Sequence, residues 1–438
     1  MFAYYLNLAL RSFKRNPALT ALMVIAIALG IGASMTTLTV FYVLSGDPIP
    51  YKSGKLFYPQ LEPRSLGKNA TPEPEPPDQM TRFDAEELLR QKKADRQAVM
   101  SAGSLAIQPD ERSAQPYRAP ARYTSADFFP LFEPPMLAGR AWTAADDEAH
   151  ARVAVVSRAF AEKMYGSAEA AIGRSFRTSK GALQVIGVLD TWEINPRFYD
   201  LSNRQFGGTE QVFVPFSTSR ELKLATQGNM WCWGDTRSDT DRGRGVNAPC
   251  AWLQYWVELD TPRKVADYRK YLADYSDQQR ASGRFERPTN VRLRSVMEWM
   301  DYKKIVPNDV RLQMWLAFGF LLVCLLNTVG LLLAKFLRRS GEIGVRRALG
   351  ASRREVFKQC LVEAGCIGAA GAVLGLAFAA LGLWLVRQQP DDYARLAHLD
   401  GAMLLATFAL SLAASLLAGI FPAWRAMQIA PAVQLKTQ

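Results

Sequence analysis

Four stretches of this chain contain no Lys, Arg, Asp or Glu, and they decide what it can fold into. They lie between Arg15 and Asp47, Arg311 and Lys335, Glu363 and Arg387, and Asp400 and Arg425. A hydrocarbon core of about 30 Å needs roughly 20 apolar residues at a helical rise of about 1.5 Å each. All four stretches meet that length, whereas buried helices of soluble proteins rarely stay charge-free so long. The mean hydropathy of the whole chain is near zero only because a polar middle balances the four runs.

The first run follows Arg11, Lys14 and Arg15, as a signal peptide would. A signal h-region is only about 7–15 residues long, however, and this run is roughly twice that, so it reads as a retained anchor. The basic residues set the orientation. The N-terminal segment has three cations and no acid, and the loop 335–363 has eight cations against Glu342, Glu355 and Glu363. Both termini and that loop are therefore expected in the cytoplasm, with the large 46–310 region outside. Of the net +12, cytoplasmic segments carry +3, +5 and +2 and the short 387–400 loop −1, leaving +3 on the large region. The basicity thus follows topology and contact with anionic membrane lipid rather than nucleic-acid binding.

These patterns predict the following order. An amphipathic helix over 1–17 lies on the inner membrane face, with Phe2, Tyr5, Leu6, Ala9 and Phe13 on one side. Spans follow over 18–45, 311–336, 364–386 and 401–424, with a cytoplasmic loop over 337–363, a short outer loop over 387–400 and a tail over 425–438. The large outer region opens with a proline-rich stretch holding Pro59, Pro63, Pro72, Pro74, Pro76 and Pro77. A charged helix is expected over 82–97, then strands at 152–157, 183–188, 211–215, 251–259 and 290–294, with helices at 158–165 and 262–281. Residues 295–306 read as a stalk helix ahead of Pro307. The class is an α-helical membrane protein with a large α+β outer domain.

Among the five cysteines, Cys232 and Cys250 fall in the outer region, where an oxidising compartment permits a disulfide; the alternative is two unpaired thiols. In the third span Gly371 and Gly375 form a small-xxx-small pair suited to close helix packing, either within the chain or against a second copy. Catalytic signals are absent. The two histidines, His150 and His398, stand far apart, and no His-Glu-x-x-His, Cys-x-x-Cys or phosphate-binding Gly-x-x-x-x-Gly-Lys-[Ser/Thr] occurs. The interior of the spans lacks the ionisable residues of proton- or ion-coupled transport. No metal and no directly bound cofactor are expected.

The segment Ser340-Gly-Glu-Ile-Gly-Val-Arg-Arg-Ala-Leu-Gly-Ala-Ser-Arg-Arg-Glu355 carries most information. Ser340 suits an N-cap, Glu342 the first turn, Arg346 and Arg347 the C-terminal end, and Gly350 a left-handed stop. Ser352 and Glu355 make a capping box for the next helix. Ile343, Val345 and Leu349 are its apolar contacts. So short a helix does not fold alone and must dock on something, with lipid headgroups as the plain alternative.

Residues 342–354 resemble the signature cytoplasmic loop of MacB/FtsX-type ABC transporter permeases. Ala9-Leu-Arg-Ser-Phe-Lys-Arg-Asn16 is similar to the segment before that family's first span. Leu137-Ala-Gly-Arg-Ala-Trp142, Val153-Ala-Val-Val-Ser157, Ile172-Gly-Arg-Ser-Phe176 and Val185-Ile-Gly-Val188 resemble its periplasmic core, and Phe421-Pro-Ala-Trp-Arg-Ala426 with Pro431 its tail. The resemblance implies a periplasmic domain of two lobes on a helical stalk, with the inserted lobe at 126–214 and the membrane-proximal lobe at 46–125 and 215–310. It also implies that Glu342, Ile343, Arg346, Arg347, Leu349, Gly350, Ala351 and Ser352 couple the chain to a cytoplasmic ABC ATPase. Fused family members carry the ATPase themselves. Without a phosphate loop this chain is expected to be a non-enzymatic permease served by a separate ATP-using subunit, paired with a second permease copy in the bacterial inner membrane. Export through a periplasmic adaptor and an outer-membrane channel is the implied task, with regulation of a cell-wall hydrolase or lipoprotein release as alternatives.

Overall fold

The computed structural model describes residues 2–66, 74–108, 115–237, 239–389, 398 and 401–428. Pro72, the 387–400 loop apart from 387–389 and His398, and the tail from 429 with Pro431 and Lys436 lie outside the described residues. So does the side chain of Lys14. Two compact units result: Met1–Gly46 with Val306–Gln438, and Asp47–Ile305.

The first unit begins with α1 (Phe2–Arg15) and α2 (Pro17–Ser45). They are separated only at Asn16, and Pro17 opens α2 because a first-turn N–H has no helical acceptor to lose.

In the second unit β1 (Leu56–Gln60) and β2 (Met80–Thr81) precede α3 (Arg82–Gln91). The charged helix expected over 82–97 thus stops at Gln91, where Lys92 turns left-handed at φ 48°. The chain then enters β3 (Arg96–Gln108) and β4 (Tyr117–Thr124), two long strands absent from the expectation. Next come α4 (Phe128–Phe132), β5 (Met136–Gly139), α5 (Ala144–Glu148), β6 (Val153–Ser157), α6 (Arg158–Tyr165), α7 (Ala168–Ala171), β7 (Ser175–Thr178) and β8 (Gly181–Leu189). After a single 3-10 turn at Phe198–Asp200 follow β9 (Val212–Pro215), α8 (Phe216–Glu221), β10 (Trp231–Cys232) and β11 (Cys250–Glu258). The unit closes with α9 (Pro262–Ala281), β12 (Arg292–Ser295) and α10 (Val296–Tyr302).

One strand path, β12-β1-β11-β3-β4-β9-β6-β8-β5, runs through this unit. The pairs β4–β9 and β6–β8 are parallel and the others on the path antiparallel. The β4–β9 ladder joins residues expected in two separate lobes. A core of Val99, Tyr123, Val156, Phe176, Val185, Leu253 and Tyr255 covers the sheet, and α9 adds Tyr268, Leu272 and Tyr275 at helical spacing. Arg122 is completely buried but paired with Asp200 at 2.5 Å and with Glu210, which also pairs with Arg197. Cys232 and Cys250 form a disulfide between paired strands β10 and β11.

The expected stalk helix over 295–306 is instead the seven-residue α10, capped by Ser295 and Glu298 and packed into the outer unit. Its Trp299 stacks on Tyr58 of β1 with centroids 4.1 Å apart. Lys304, at φ 50°, ends any continuation before Pro307.

The first unit resumes with α11 (Asn308–Arg338), α12 (Ser340–Ala348), α13 (Arg353–Arg387) and α14 (Gly401–Met427). With α2, the helices α11, α13 and α14 are long and apolar enough to cross a membrane. Helix α2 is central: Met23, Ile27, Ile31 and Met35 are buried among residues of α11, α13 and α14. A Cβ on Gly371 would come within 2.7 Å of Ile27 Cγ2, and one on Gly375 within 3.1 Å of Ile31 Cγ2. Both glycines therefore bring α13 against α2 of the same chain, where a larger side chain would force the helices apart.

Candidate functional site

Helix α12 continues α11 after a break of one residue. Ser340 is its first helical residue, so the expected N-cap role does not hold: Arg339 occupies the cap position and makes no side-chain cap. The closeness of α11 explains the difference. The Ile343 N–H donates to the Arg339 carbonyl at 3.0 Å, and the Arg339 N–H to Phe336 at 3.1 Å, so a serine cap is not needed there. At the other end Gly350 takes φ +102°, and the Ala351 N–H donates to the Arg346 carbonyl at 3.1 Å. Ser352 and Glu355 then form the capping box of α13.

One side of α12 is tied inward. Glu342 accepts from Arg339 at 3.2 and 3.3 Å, and pairs with Arg346 at 3.3 Å and with Arg15 of α1 at 3.2 Å. Burial raises the Glu342 pKa, but hydrogen bonding and charge from Arg339, with Arg346 and Arg15, outweigh it and hold the carboxyl below its ordinary range. Burial likewise opposes the charge on Arg339, and Glu342 and Glu363 more than restore it. Arg346 also donates to Gln359 of α13 at 3.0 Å, and Arg347 to the Met427 carbonyl of α14 at 3.4 Å. Ile343 is buried in the core of the helical unit.

The opposite side is bare. Leu349 is 84% exposed and Val345 55% exposed. The three apolar residues expected to act together are thus divided, Ile343 inward and the other two outward. Ala351 is half-buried and Ser352 exposed.

Beneath α12 lies a cluster that the sequence pattern does not announce. Glu363 accepts from Lys335 at 2.8 Å, from Arg339 at 3.0 Å and from Ser12 of α1. Lys335 is fully buried, donates to Thr20 of α2 at 3.2 Å and stands 5.3 Å from the Phe13 ring centroid. In the sequence Lys335 and Glu363 mark the outer limits of two charge-free runs. The structure draws both inside helices and buries them. A usable signal exists, since the runs end in opposite charges on the same side of the membrane.

Four apolar spans, a mixed α/β unit inserted after the first and a tethered helix between the second and third define a multi-pass membrane protein. The chain matches the MacB-like periplasmic core domain over residues 20–275 and the FtsX-like permease C-terminal domain over 314–431, and it belongs to this MacB/FtsX-like family of ABC transporter permeases. Among curated relatives, the pyoverdine export ATP-binding/permease protein PvdT of Pseudomonas aeruginosa is 25% identical over 323 residues, covering 74% of this chain and 43% of the relative. The macrolide export ATP-binding/permease protein MacB of Brucella abortus is 36% identical over 122 residues, covering 27% and 18%. The match thus spans less than half the length of either relative. Among solved structures, the periplasmic region of MacB from Actinobacillus actinomycetemcomitans shares 13% identity over 57% of this chain and 92% of its own, with a TM-score of 0.35. The extracellular domain of the ABC-type transporter YknZ gives 14%, 54%, 99% and 0.35.

Proposed function

We propose that this chain receives ATP-driven motion at α12 from a separate cytoplasmic ABC ATPase and uses it to move the outer domain for export of a periplasmic substrate. The observation that carries the reading is the division of α12. Its inner side is held by ion pairs from Glu342 to Arg15 of α1 and to Arg339 at the cap, and by a hydrogen bond from Arg346 to Gln359 of α13, while Leu349 and Val345 face outward as an apolar knob. Exposed apolar residues ringed by charge fit a partner's pocket rather than water. The proposed setting is the bacterial inner membrane with both termini cytoplasmic, a second permease copy completing a dimer, and a periplasmic adaptor and outer-membrane channel continuing the route. The ATP is bound by the partner and this chain binds no cofactor itself. The relatives' printed names support export; they cite different cargoes, macrolide and pyoverdine, and neither is carried over.

The test is co-purification of the full chain with a stand-alone cytoplasmic ABC ATPase from the same organism. Leu349→Asp is expected to abolish the complex, and Arg346→Ala to keep it while lowering permease-stimulated ATP hydrolysis at least several-fold. An intact complex with unchanged hydrolysis in both variants would refute the coupling role. Capture of a cell-wall hydrolase by residues 47–305, with no adaptor bound, would transfer the reading to hydrolase control.

A further inference from the structure

Helices α1, α13 and α14 enclose a groove of 710 Å³ that the coupling reading does not use. Its walls are Leu361, Val362, Gly365 and Ala369 of α13 and Leu412 and Leu416 of α14, with Tyr5 and Leu6 of α1 along one edge. Helices α13 and α14 are long and apolar enough to cross a membrane, so hydrocarbon is the medium their side of the groove meets. The space is open: a Cβ on Gly365 would meet Leu416 Cδ2 at 3.5 Å and Leu412 Cδ1 at 3.9 Å, ordinary contact distances. At one end the lining turns polar with Glu355 and Lys358. The Glu355 carboxylate is already engaged, accepting from the Ser352 N–H at 2.9 Å and its hydroxyl at 3.1 Å. Among the described residues Lys358 has no hydrogen bond or ion pair, and neither has Arg354, one turn away on the same helix face. The mouth therefore offers one cation unpartnered among the described residues, Lys358, beside a carboxylate already held by the α13 cap, where the wall is apolar.

We propose that this groove holds one anionic phospholipid, with an acyl chain along Gly365, Ala369 and Leu412 and its phosphate at Lys358. A lysine without a protein partner among the described residues, at the mouth of an apolar interhelical pocket, is the chemistry that recognises such a headgroup, and Tyr5 sits where an aromatic favours the interface. A second copy of the chain would have no use for a free cation at the mouth. The inference rests on the four-span membrane fold and not on the ATPase, so failure of coupling leaves it standing.

The test uses the full chain, delipidated in detergent and titrated with dioleoylphosphatidylglycerol or dioleoylphosphatidylcholine, with bound lipid per chain read by native mass spectrometry. Wild-type protein is expected to hold one phosphatidylglycerol about fivefold more tightly than phosphatidylcholine, the preference expected from one surface cation. Lys358→Gln, at an exposed position that leaves the fold intact, should bring the two lipids level. Gly365→Leu, which fills the groove, should remove the tight site for both. Equal wild-type binding of the two lipids would overturn the proposal. So would Gly365→Leu retaining the bound lipid, or Gly365→Leu turning a dimer into monomers with lipid binding unchanged.

Discussion

Replacing Glu363 with Gln is the sharpest test of the ionic cluster beneath α12. The carboxylate serves two buried cations, Lys335 at 2.8 Å and Arg339 at 3.0 Å. Without its charge Arg339 still has Glu342 at 3.2 Å, but Lys335 keeps only neutral partners, the new amide oxygen, the Thr20 hydroxyl and the Phe13 ring. A buried ammonium without a counter-ion costs about 3–5 kcal/mol. Lys335→Met is milder, because Glu363 retains Arg339 and Ser12 and the aliphatic stem is preserved; about 1–2 kcal/mol is expected. The double variant should cost little more than Lys335→Met alone, since the neutral amide that replaces the carboxylate then faces no stranded charge, giving a coupling of about 2 kcal/mol or more. Cys360 is buried one turn from Glu363, so its maleimide reactivity on heating, with Cys324 and Cys366 replaced by Ala, reports opening of the helical unit itself. Glu363→Gln should lower the midpoint by roughly 10 °C. A shift within about 2 °C, or strict additivity of the two substitutions, would refute the assignment of Glu363 as the counter-ion of Lys335.

Three further outcomes follow from the geometry. Gly350→Val should cost about 1–2 kcal/mol at φ +102°, although nothing lies within 4 Å of a Cβ there, and should raise hydrogen exchange of residues 340–352 several-fold. Reducing Cys232–Cys250, or replacing both by Ser, should lower the urea stability of residues 47–305 by about 3 kcal/mol, with the reduced wild type and the double variant coinciding. Burial, aided by the charges of Asp127 and Asp146 and opposed by the Ala126 N–H, pushes the Asp147 carboxyl up from 3.8 to about 7. The folded state therefore holds this proton more tightly than the unfolded chain, and the contribution of Asp147 to stability falls as pH rises from about 4 to about 7 and then levels. Asp147→Asn can still accept from Ala126 and should gain roughly 1–3 kcal/mol over wild type at pH 8, a gain absent near pH 4 in thermal melts of the same fragment.

The spans and the motif between them were legible because each rests on a local rule: long charge-free runs, a glycine stop, a Ser-x-x-Glu cap. Strand β6 and helix α6 were legible for the same reason, with Val-rich residues followed by Ser157 as a cap. Strand β3 was not. Its Ala-Val-Met-Ser-Ala-Gly-Ser-Leu-Ala-Ile core has little alternation, because nearly the whole strand is buried on both faces by partners distant in sequence. Helix α3 was overrun because the charged pattern continues past Gln91, and only the left-handed Lys92 ends it. The helix within 295–306 is shorter than expected and belongs to the second unit, because spacing alone does not reveal that Trp299 has Tyr58 to stack on.

The ionic cluster was hidden for a related reason. Charge-free length identifies a span by treating its flanking charges as solvent-exposed, and that premise fails where two spans end in opposite charges that meet. Burying Lys335 and Glu363 is weak grounds for stability, since apolar residues of similar volume would serve the core as well. What ionic contacts supply is direction. Helix α12 is nine residues long, below what folds unaided, and an apolar footing such as Ile343 alone would let it roll. Glu342 and Arg346 instead engage Arg15 of α1, Arg339 at the helix's own cap and Gln359 of α13, and Arg339 passes the connection to Glu363 and Lys335. A displacement of α12 must therefore break the exposed Arg15–Glu342 pair, at about 1 kcal/mol or less, and the Arg346–Gln359 hydrogen bond, or carry the ends of α1 and α13 with it. With the Arg339–Glu363 link between them, carrying the helices along is the cheaper course. The buried charges make α12 a rigid extension of the spans while its outer side, with Leu349, stays free.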